Sequence, residues 1–333
     1  MQEVTFDIQT ITPLFLSGAD QATAELRAPS FRGEMRYWLR ALVGGLVGTG
    51  PEGLKTVRDA EAEVFGATDR GSAIQIKISH PEIRPIAFTE NISRPGSGHQ
   101  ATGKGYLLWS MRLKRPPRCY IAPNTQFQIH LLTHGTDAMR HKKGIAALWL
   151  LTHLGGIGSR SRRCAGSLSI RFKERTVYDF PFDIPADTET LKKQIEQGIA
   201  VAKSLYPSTL EQLTPEALFD AISEKTCRIW ILQHQRPWNT PEEAMQAIGE
   251  SLQSYRSTVP LNDRGVFGFP LKGVRGVERR ASPLLLRVAE LQGNKYVGIA
   301  VLFKTRYDDI PMRNYGIIEA WTNEFRGKKE VPL

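Results

Sequence analysis

The chain has 333 residues, 41% of them hydrophobic and 23% charged, and this length and composition predict a globular protein of two domains. Its 44 Lys and Arg residues against 34 Asp and Glu give a formal net charge of +10, which favours a polyanionic partner such as nucleic acid. Since no apolar run is long enough to cross a membrane and the acidic N-terminus is unlike a signal peptide, we expect a cytoplasmic protein with no membrane partner. The scattered cysteines Cys119, Cys164 and Cys227 exclude a disulfide framework and a Cys-x-x-Cys zinc site.

Hydrophobic periodicity in the first half of the chain alternates between strand-like and helical segments. We predict strands in residues 4–16, 73–79, 106–114, 125–133 and 167–173, and helices in residues 31–43, 60–65 and 145–152. Ser30 is a suitable N-cap for the first long helix, and Gly44 and Gly45 are expected to end it. This order is typical of an α+β sandwich of the ferredoxin-like (RRM-like) type, although the strands lack the aromatic residues of a conventional RRM surface.

The first long helix carries a basic stripe beside its apolar face. Arg32, Arg36 and Arg40 are four residues apart and so lie on one side of the helix. Because the only nearby acid, Glu34, is not four residues from any of them, the stripe is predicted to lack local partners and to be available to an external anion. A merely solvated basic face is the alternative. Trp38 is in phase with the apolar face, which favours packing in the core over stacking on an RNA base.

A glycine- and arginine-rich loop, residues 154–168, lies between a helical segment and a strand-like segment. It contains Gly155, Gly156, Gly158, Arg160, Arg162, Arg163 and Gly166. Glycines can adopt a positive φ and let a ligand approach main-chain amides, and guanidinium groups match phosphate oxygens. The pattern therefore predicts a cradle for an RNA backbone, with a solvated connector as the alternative. The loop lacks the Gly-Lys-Ser/Thr ending of a P-loop, and Ser161 replaces the last glycine of a dinucleotide fingerprint.

Two further basic, glycine-bearing segments extend this prediction. Residues 89–105 form an insertion that contains Lys104, and residues 272–280 end in Arg279 and Arg280. Lys104, Arg279 and Arg280 are therefore additional candidate RNA ligands, with exposed loop tips as the alternative.

Composition shifts after residue 183, so we expect one domain in residues 1–180 and a second in residues 181–333. The second domain is predicted to be rich in helices, at residues 191–203, 209–223 and 241–255. It also contains a short strand or helix tail and then a hairpin that turns around Gly293 and Asn294, at residues 228–233, 283–290 and 295–304.

Four segments of the chain carry a family resemblance. They read Ile-Thr-Pro-Leu-Phe-Leu-Ser-Gly-Ala-Asp-Gln from residue 11, Leu-Arg-Ala-Pro-Ser-Phe-Arg-Gly-Glu-Met-Arg-Tyr-Trp-Leu-Arg from residue 26, Gly-Gly-Ile-Gly-Ser-Arg-Ser-Arg-Arg from residue 155 and Arg-Arg-Ala-Ser-Pro-Leu-Leu-Leu-Arg from residue 279. These segments resemble the RAMP proteins of CRISPR systems, most closely the first-numbered RAMP subunits of the type III-B (Cmr) RNA-silencing complex. The second segment adds Arg27 to the candidate RNA ligands. The chain departs from the family at Cys164 and Ala165, where RAMP loops usually place a glycine after the paired arginines.

The resemblance implies two ferredoxin-like modules, the second degenerate and helix-rich. It also implies a noncatalytic RNA-binding subunit at one end of a type III-B ribonucleoprotein effector that acts in antiviral defence. Its expected partners are the 3′ region of the guide RNA, the target RNA and other RAMP subunits. We expect no cofactor and no metal ion.

The alternative function is a metal-independent RAMP-type endoribonuclease that processes precursor guide RNA by activating a 2′-hydroxyl. This chemistry needs a positioned base and acid, usually histidine near neutral pH. Candidates are His99, His130, His134, His141 and His153, but none is paired with a Lys or Tyr at motif spacing. The acidic doublet Asp308-Asp309 is more typical of a turn than of a two-metal site. The sequence therefore favours RNA binding over catalysis.

Overall fold

The computed structural model describes residues 2–18, 23–89, 102–111, 118–133, 137–171, 176–208, 217–268, 280–306 and 314–333. Within these ranges the α-helices are α1 (Ala28–Val47), α2 (Pro51–Phe65), α3 (Gly103–Leu108), α4 (Ala138–Leu154), α5 (Thr188–Ser204), α6 (Pro241–Thr258) and α7 (Gly316–Thr322). The strands are β1 (Gln2–Thr10), β2 (Ile74–Ser79), β3 (Ile86–Ala87), β4 (Cys119–Tyr120), β5 (Gln126–Thr133), β6 (Leu168–Arg171), β7 (Thr176–Val177), β8 (Phe180–Pro181), β9 (Cys227–Leu232), β10 (Leu284–Leu291), β11 (Lys295–Phe303) and β12 (Lys329–Val331).

The first sheet is antiparallel and has the strand order β2-β5-β1-β6. Phe6 pairs with Ile129 and Ile8 with Ile170, which places these apolar side chains together on the buried face. Because successive strand residues point to opposite faces, the residues between them form a polar outer face. The predicted strands that correspond to β2, β5 and β6 are confirmed.

The second sheet is also antiparallel, with the strand order β10-β11-β9-β12. Strands β10 and β11 form the predicted hairpin, in which Gly293 and Asn294 adopt positive φ angles of 72° and 54°. Nearly every residue of these two strands is buried, because apolar side chains cover both faces of the sheet. The half of the chain expected to be helix-rich therefore contains a four-stranded sheet of its own.

The two halves share a core. One apolar cluster contains the inner face of the first sheet, helices α1, α4 and α5, and one face of the second sheet. Trp38 of α1 lies across this boundary, with its ring 6.2 Å from that of Phe303 on β11. A second cluster packs α3, α6 and α7 against the opposite face of the second sheet.

Residues 106–114 were expected to form a strand, and this prediction is wrong for the part that the structure describes. Helix α3 occupies Gly103–Leu108 and a 3₁₀ turn follows at Trp109–Met111, whereas residues 112–117 lie outside the described ranges. Thr102 caps the helix by accepting a hydrogen bond from the Gly105 amide. The helix packs closely on α6, since a Cβ on Gly249 would lie 2.0 Å from the Gly103 oxygen.

Two other boundaries differ from the sequence prediction. Helix α1 continues through Gly44 and Gly45 to Val47. A Cβ on Gly45 would lie 2.0 Å from the Ile222 oxygen, so this glycine allows a close backbone contact instead of ending the helix. Residues 217–223 are not helical, because the Ile222 amide donates to a carbonyl of α1 rather than within its own segment. Residues 209–216 of that predicted helix lie outside the described residues.

Candidate RNA-binding site

The basic stripe of α1 has partners on the neighbouring helix α2. Arg36 and Arg40 both form ion pairs with Glu61, with an Nη1–Oε1 distance of 3.1 Å for Arg40, and Arg32 donates to the Phe65 carbonyl at the end of α2. These partners are not local to α1, as the spacing predicts, but the expectation that the three guanidiniums are free of protein partners is wrong. The acid comes from a separate helix, and helical spacing within α1 could not reveal it.

The stripe nevertheless keeps an outward positive charge. Glu61 is 8% exposed, whereas the side chains of Arg36 and Arg40 are 37% and 41% exposed. One carboxylate cannot neutralise two guanidiniums, and both arginine side chains remain partly exposed. We call Arg32, Arg36 and Arg40 the α1 surface. Arg27, which precedes the helix, pairs with Glu25 at 3.2 Å and is also partly exposed.

Trp38 is part of the core, as its helical phase predicts. It is 1% exposed and packs against Phe303 and Tyr37, at ring distances of 6.2 and 5.4 Å. Gly155 makes room for the indole, since a Cβ there would lie 2.4 Å from the Trp38 Nε1. The buried indole supports packing rather than base stacking.

Arg162 connects the glycine loop to Tyr37 of helix α1. Its guanidinium donates to Asp220 Oδ2 at 2.9 Å and to the Ser282 carbonyl at 2.7 Å, and it lies 5.5 Å from the centre of the Tyr37 ring. Tyr37 donates to the same Asp220 oxygen at 2.6 Å. Burial and the Asp220 carboxylate hold the pKa of Tyr37 well above its usual value. Burial also raises the pKa of Glu34, against the opposing charges of Arg162 and Arg40.

The other two loop arginines are bound to protein carbonyls. Arg163 is 9% exposed and donates to the carbonyls of Leu284 and Phe267 at 3.2 and 3.3 Å. Burial, with the charge of Arg160 nearby, lowers the pKa of Arg163 to about 9. Arg160 donates through Nε to the Leu107 carbonyl at 2.7 Å, and burial lowers its pKa to about 10. The expectation that both guanidiniums face a phosphate chain does not fit these contacts.

The loop backbone is likewise bonded to the protein. The amides of Ile157, Ser159, Cys164 and Gly166 donate to main-chain carbonyls, including Cys164 to Leu286 of β10 at 2.8 Å. These four amides are not available to a phosphate chain, which corrects the cradle prediction for them. The loop fastens the first half of the chain to the second sheet.

The conformation of the loop is only partly the expected one. Gly158 and Gly166 adopt positive φ angles of 86° and 64°, whereas Gly155 and Gly156 do not, and Gly156 is buried. Cys164 adopts a φ of 65°. This residue therefore takes the left-handed conformation that favours glycine, at the place where related loops were expected to have one.

The remaining candidate ligands are spread over the molecule. Lys104 lies in the first turn of α3, where its amide donates to Gln246 Oε1 at 3.1 Å. Arg280 is 5% exposed and donates to the Tyr315 hydroxyl at 3.2 Å, so it is an internal residue. Arg279 lies outside the described residues, as do positions 90–101 of the predicted insertion.

The histidines considered for catalysis do not lie together in the described ranges. His153 stacks on Trp149 at 4.3 Å, and burial lowers its pKa to about 3. His141 is buried on α4, and His130 lies on the outer face of the first sheet. His99, His134 and the doublet Asp308-Asp309 are not among the described residues. No group of metal-binding side chains occurs in the part of the chain that the structure describes.

Sequence reasoning missed the acids that organise this surface. Glu61 binds Arg36, which is 25 residues away in the sequence. Asp220 binds Arg162, which is 58 residues away. No short spacing signals such a pair. Tyr37, next to Trp38 in the sequence, was also missed because its hydroxyl role depends on Asp220.

Comparison with known proteins first identifies the superfamily of this chain. A family model described as the RAMP superfamily matches residues 7–169. The Cmr subunit Cmr1-2 of Pyrococcus furiosus is 33% identical over 191 residues, which cover 51% of this chain and 96% of that protein. Cmr1-1 of the same organism is 28% identical over 313 residues, covering 91% of this chain and 88% of that protein.

The chain belongs to the RAMP superfamily and, within it, to the Cmr1 subunits. A crystal structure of Cmr1 from Pyrococcus furiosus in its apo form has the same fold, with a TM-score of 0.71, 22% identity, and coverage of 100% of this chain and 99% of that one. A chain in a cryo-EM structure of the type III-B Cmr-β complex bound to cognate target RNA and AMPPnP superposes with a TM-score of 0.60 and 13% identity, over 96% and 98% of the two chains. No described helix is long and apolar enough to span a membrane.

Proposed function

We propose that this chain is a noncatalytic RNA-binding subunit of a type III-B CRISPR ribonucleoprotein effector in antiviral defence. It holds the 3′ region of the guide RNA and its target, beside other RAMP subunits, in the cytoplasm. Membership of the complex is supported by the Cmr1 relatives, whose names assign them to the Cmr system. The superposition on a chain of an RNA-bound Cmr-β complex is consistent with this proposal.

The observation that carries RNA binding is the α1 surface. Arg36 and Arg40 are partly exposed on a regular helix and share the one Glu61 carboxylate. Arg40 also lies near Glu34, as does Arg162 of the glycine loop. Exposed guanidiniums fixed at one end by a carboxylate are suited to contact successive phosphates. The net charge of +10 adds long-range attraction to a polyanion.

We also infer that residues 1–180 and 181–333 are two ferredoxin-like modules. Each half follows the order strand, helix, strand, strand, helix, strand, apart from added elements. In each sheet the first strand lies between the fourth and the third, and the second strand lies at an edge. This is the arrangement of the split βαβ unit.

The binding proposal is tested by replacing Arg36 and Arg40 with Ala and measuring fluorescence anisotropy of labelled single-stranded RNA at several salt concentrations. Affinity should fall about equally for unrelated sequences, because phosphate contacts carry little base information. The slope of log affinity against log salt should shrink by about 0.7 for each lost contact. Arg236→Ala removes an exposed charge elsewhere and serves as the control. An unchanged slope in the double variant would contradict the proposed surface.

The endoribonuclease alternative has its own test. The purified chain is incubated with labelled precursor RNA, with and without EDTA. Intact RNA in both samples supports a binding role, whereas cleavage that persists with EDTA would replace it with metal-independent catalysis.

A further inference from the structure

Glu34 is an acidic residue near the α1 surface. Residues three apart on a helix are neighbours, so Glu34 lies beside Tyr37, and Tyr37 lies beside Arg40. The guanidinium of Arg162 is 5.5 Å from the centre of the Tyr37 ring and donates to its hydroxyl at 3.3 Å. The charges of Arg162 and Arg40 both act on the Glu34 carboxylate. Glu34 therefore shares its surroundings with one arginine of the α1 surface and one of the glycine loop.

The carboxylate of Glu34 is accessible to a ligand. Glu34 is partly exposed, and among the described residues its carboxylate forms no hydrogen bond or ion pair. Glu61 instead accepts from Arg36, and Asp220 accepts from Arg162. Those two carboxylates hold protein side chains in place, whereas the carboxylate of Glu34 is available to a group from outside the protein.

The chemistry of the surrounding groups limits what this carboxylate can bind. An ionised carboxylate accepts hydrogen bonds and cannot donate them, so it repels a phosphate and favours a hydroxyl or an N–H group. The side chains of Arg40 and Arg162 are 41% and 27% exposed, and guanidiniums are suited to phosphate oxygens. In RNA the donor that lies closest to the phosphates is the ribose 2′-hydroxyl, which DNA lacks.

We propose that Glu34 accepts a hydrogen bond from a ribose 2′-hydroxyl of RNA bound at the α1 surface, and so makes this chain prefer RNA to DNA. The inference rests on the proposed function, because it needs a nucleic acid at this surface. Arginines bind phosphates, which RNA and DNA share, and so do not separate the two. The negative charge of Glu34 weakens the binding of both, and its hydrogen bond offsets this loss only for RNA.

The test is fluorescence anisotropy with three labelled oligonucleotides of one sequence: RNA, DNA, and RNA in which fluorine replaces every 2′-hydroxyl. The fluorinated strand keeps the sugar conformation of RNA but cannot donate a hydrogen bond. The unaltered chain should bind RNA about 3- to 10-fold more tightly than either of the other strands, which corresponds to one hydrogen bond. Glu34→Ala should bring this ratio close to one. Glu34→Gln keeps an acceptor oxygen and should give an intermediate ratio.

Glu242→Ala is the control, because it removes an exposed acid from the first turn of α6 and should leave the ratio unchanged. Equal affinity of the unaltered chain for RNA and the fluorinated strand would overturn the inference. So would an unchanged ratio in Glu34→Ala or, if that variant does not fold, in Glu34→Gln.

The Arg36→Ala, Arg40→Ala variant is titrated with the same strands, so that this inference and the proposed function can fail separately. If its salt slope shrinks while the Glu34 variants keep the full ratio, only the role of Glu34 is wrong. An unchanged slope in the double variant counts against the proposed surface itself.

Discussion

Arg163 and Arg36 carry the same guanidinium group in opposite surroundings. Arg163 is buried and its donors are taken by three carbonyls, whereas the Arg36 side chain is 37% exposed beside Glu61. Removing Arg163 leaves buried acceptors without partners, each at a cost of roughly 1–3 kcal/mol. We therefore expect Arg163→Ala to lower the free energy of unfolding by about 3 kcal/mol, as measured by urea denaturation.

Arg36→Ala is the matched comparison for Arg163→Ala. A partly exposed ion pair contributes about 0–1 kcal/mol, so this variant should unfold almost as the unaltered chain does. The loss of the Arg36 side chain should instead lower the affinity for RNA. If Arg163→Ala keeps full stability and loses RNA binding, Arg163 is a phosphate ligand after all and its carbonyl contacts are secondary.

His153 should make stability depend on pH. Burial lowers its pKa to about 3 in the folded chain, from an ordinary value of about 6.5. Between these values the unfolded chain binds the proton and the folded chain does not. The free energy of unfolding should therefore fall as pH decreases from about 6.5, by up to about 1.4 kcal/mol for each pH unit from this residue.

The measurement for His153 is chemical denaturation between pH 7 and pH 5 for the unaltered chain and for His153→Phe. Phe keeps a ring to stack on Trp149, whose ring lies 4.3 Å away, but it cannot be protonated. The pH dependence should be smaller in the variant. Identical pH profiles would mean that His153 is protonated in the folded chain as easily as in the unfolded one.

The residue types at the site could be predicted from sequence, but their partners could not. The four-residue spacing of Arg32, Arg36 and Arg40 is a local property and places them on one side of α1. The binding of Arg36 and Arg40 to Glu61, and of Arg32 to the Phe65 carbonyl, depends on how α2 packs against α1, which no local pattern specifies. For the same reason, the sequence could not show that the loop predicted to be a phosphate cradle is bonded to the second sheet.

At the scale of elements, α1 has two faces with separate roles. Trp38 lies on the buried face and contacts Phe303 across the joint between the halves. Trp38→Ala should lower the free energy of unfolding by about 3–5 kcal/mol, as large-to-small core changes do. Thermal and urea denaturation measure this, and RNA affinity of the folded variant should stay close to that of the unaltered chain. A variant that folds normally but loses RNA would instead assign Trp38 to base stacking.

Strong periodicity explains which elements could be predicted. The β10–β11 hairpin has two apolar runs joined at Gly293-Asn294, a pair of residues that adopts positive φ easily, and the structure has this hairpin. Helix α3 gave no such signal, because its sequence begins Gly-Lys-Gly and resembles a loop. The helix packs through Gly103 directly on the backbone of α6, and that contact exists only in the folded chain.

At the scale of the whole molecule, the two halves share one apolar core. Apolar residues of the first sheet, α1, α4 and the second sheet belong to a single cluster, and the glycine loop adds main-chain bonds between the halves. The α1 surface therefore lies on a helix whose other face is packed into this shared core. Under the proposed function, the α1 surface would form part of a track for RNA that neighbouring subunits continue.

The final prediction follows from the proposed function. Alone, the chain should bind single-stranded RNA modestly and with steep salt dependence, because phosphate contacts by partly exposed arginines would supply most of the affinity. Affinity should increase when neighbouring RAMP subunits extend the same track, since linked sites raise the effective concentration of the second contact. The measurement compares guide retention and target affinity for the reconstituted complex with this subunit, without it, and with the Arg36→Ala, Arg40→Ala variant. We expect both omission and the double variant to reduce guide retention and target affinity. The ranking of the three complexes should be the same at every salt concentration. If omission changes neither, the subunit does not hold RNA in the complex, even if it binds RNA alone.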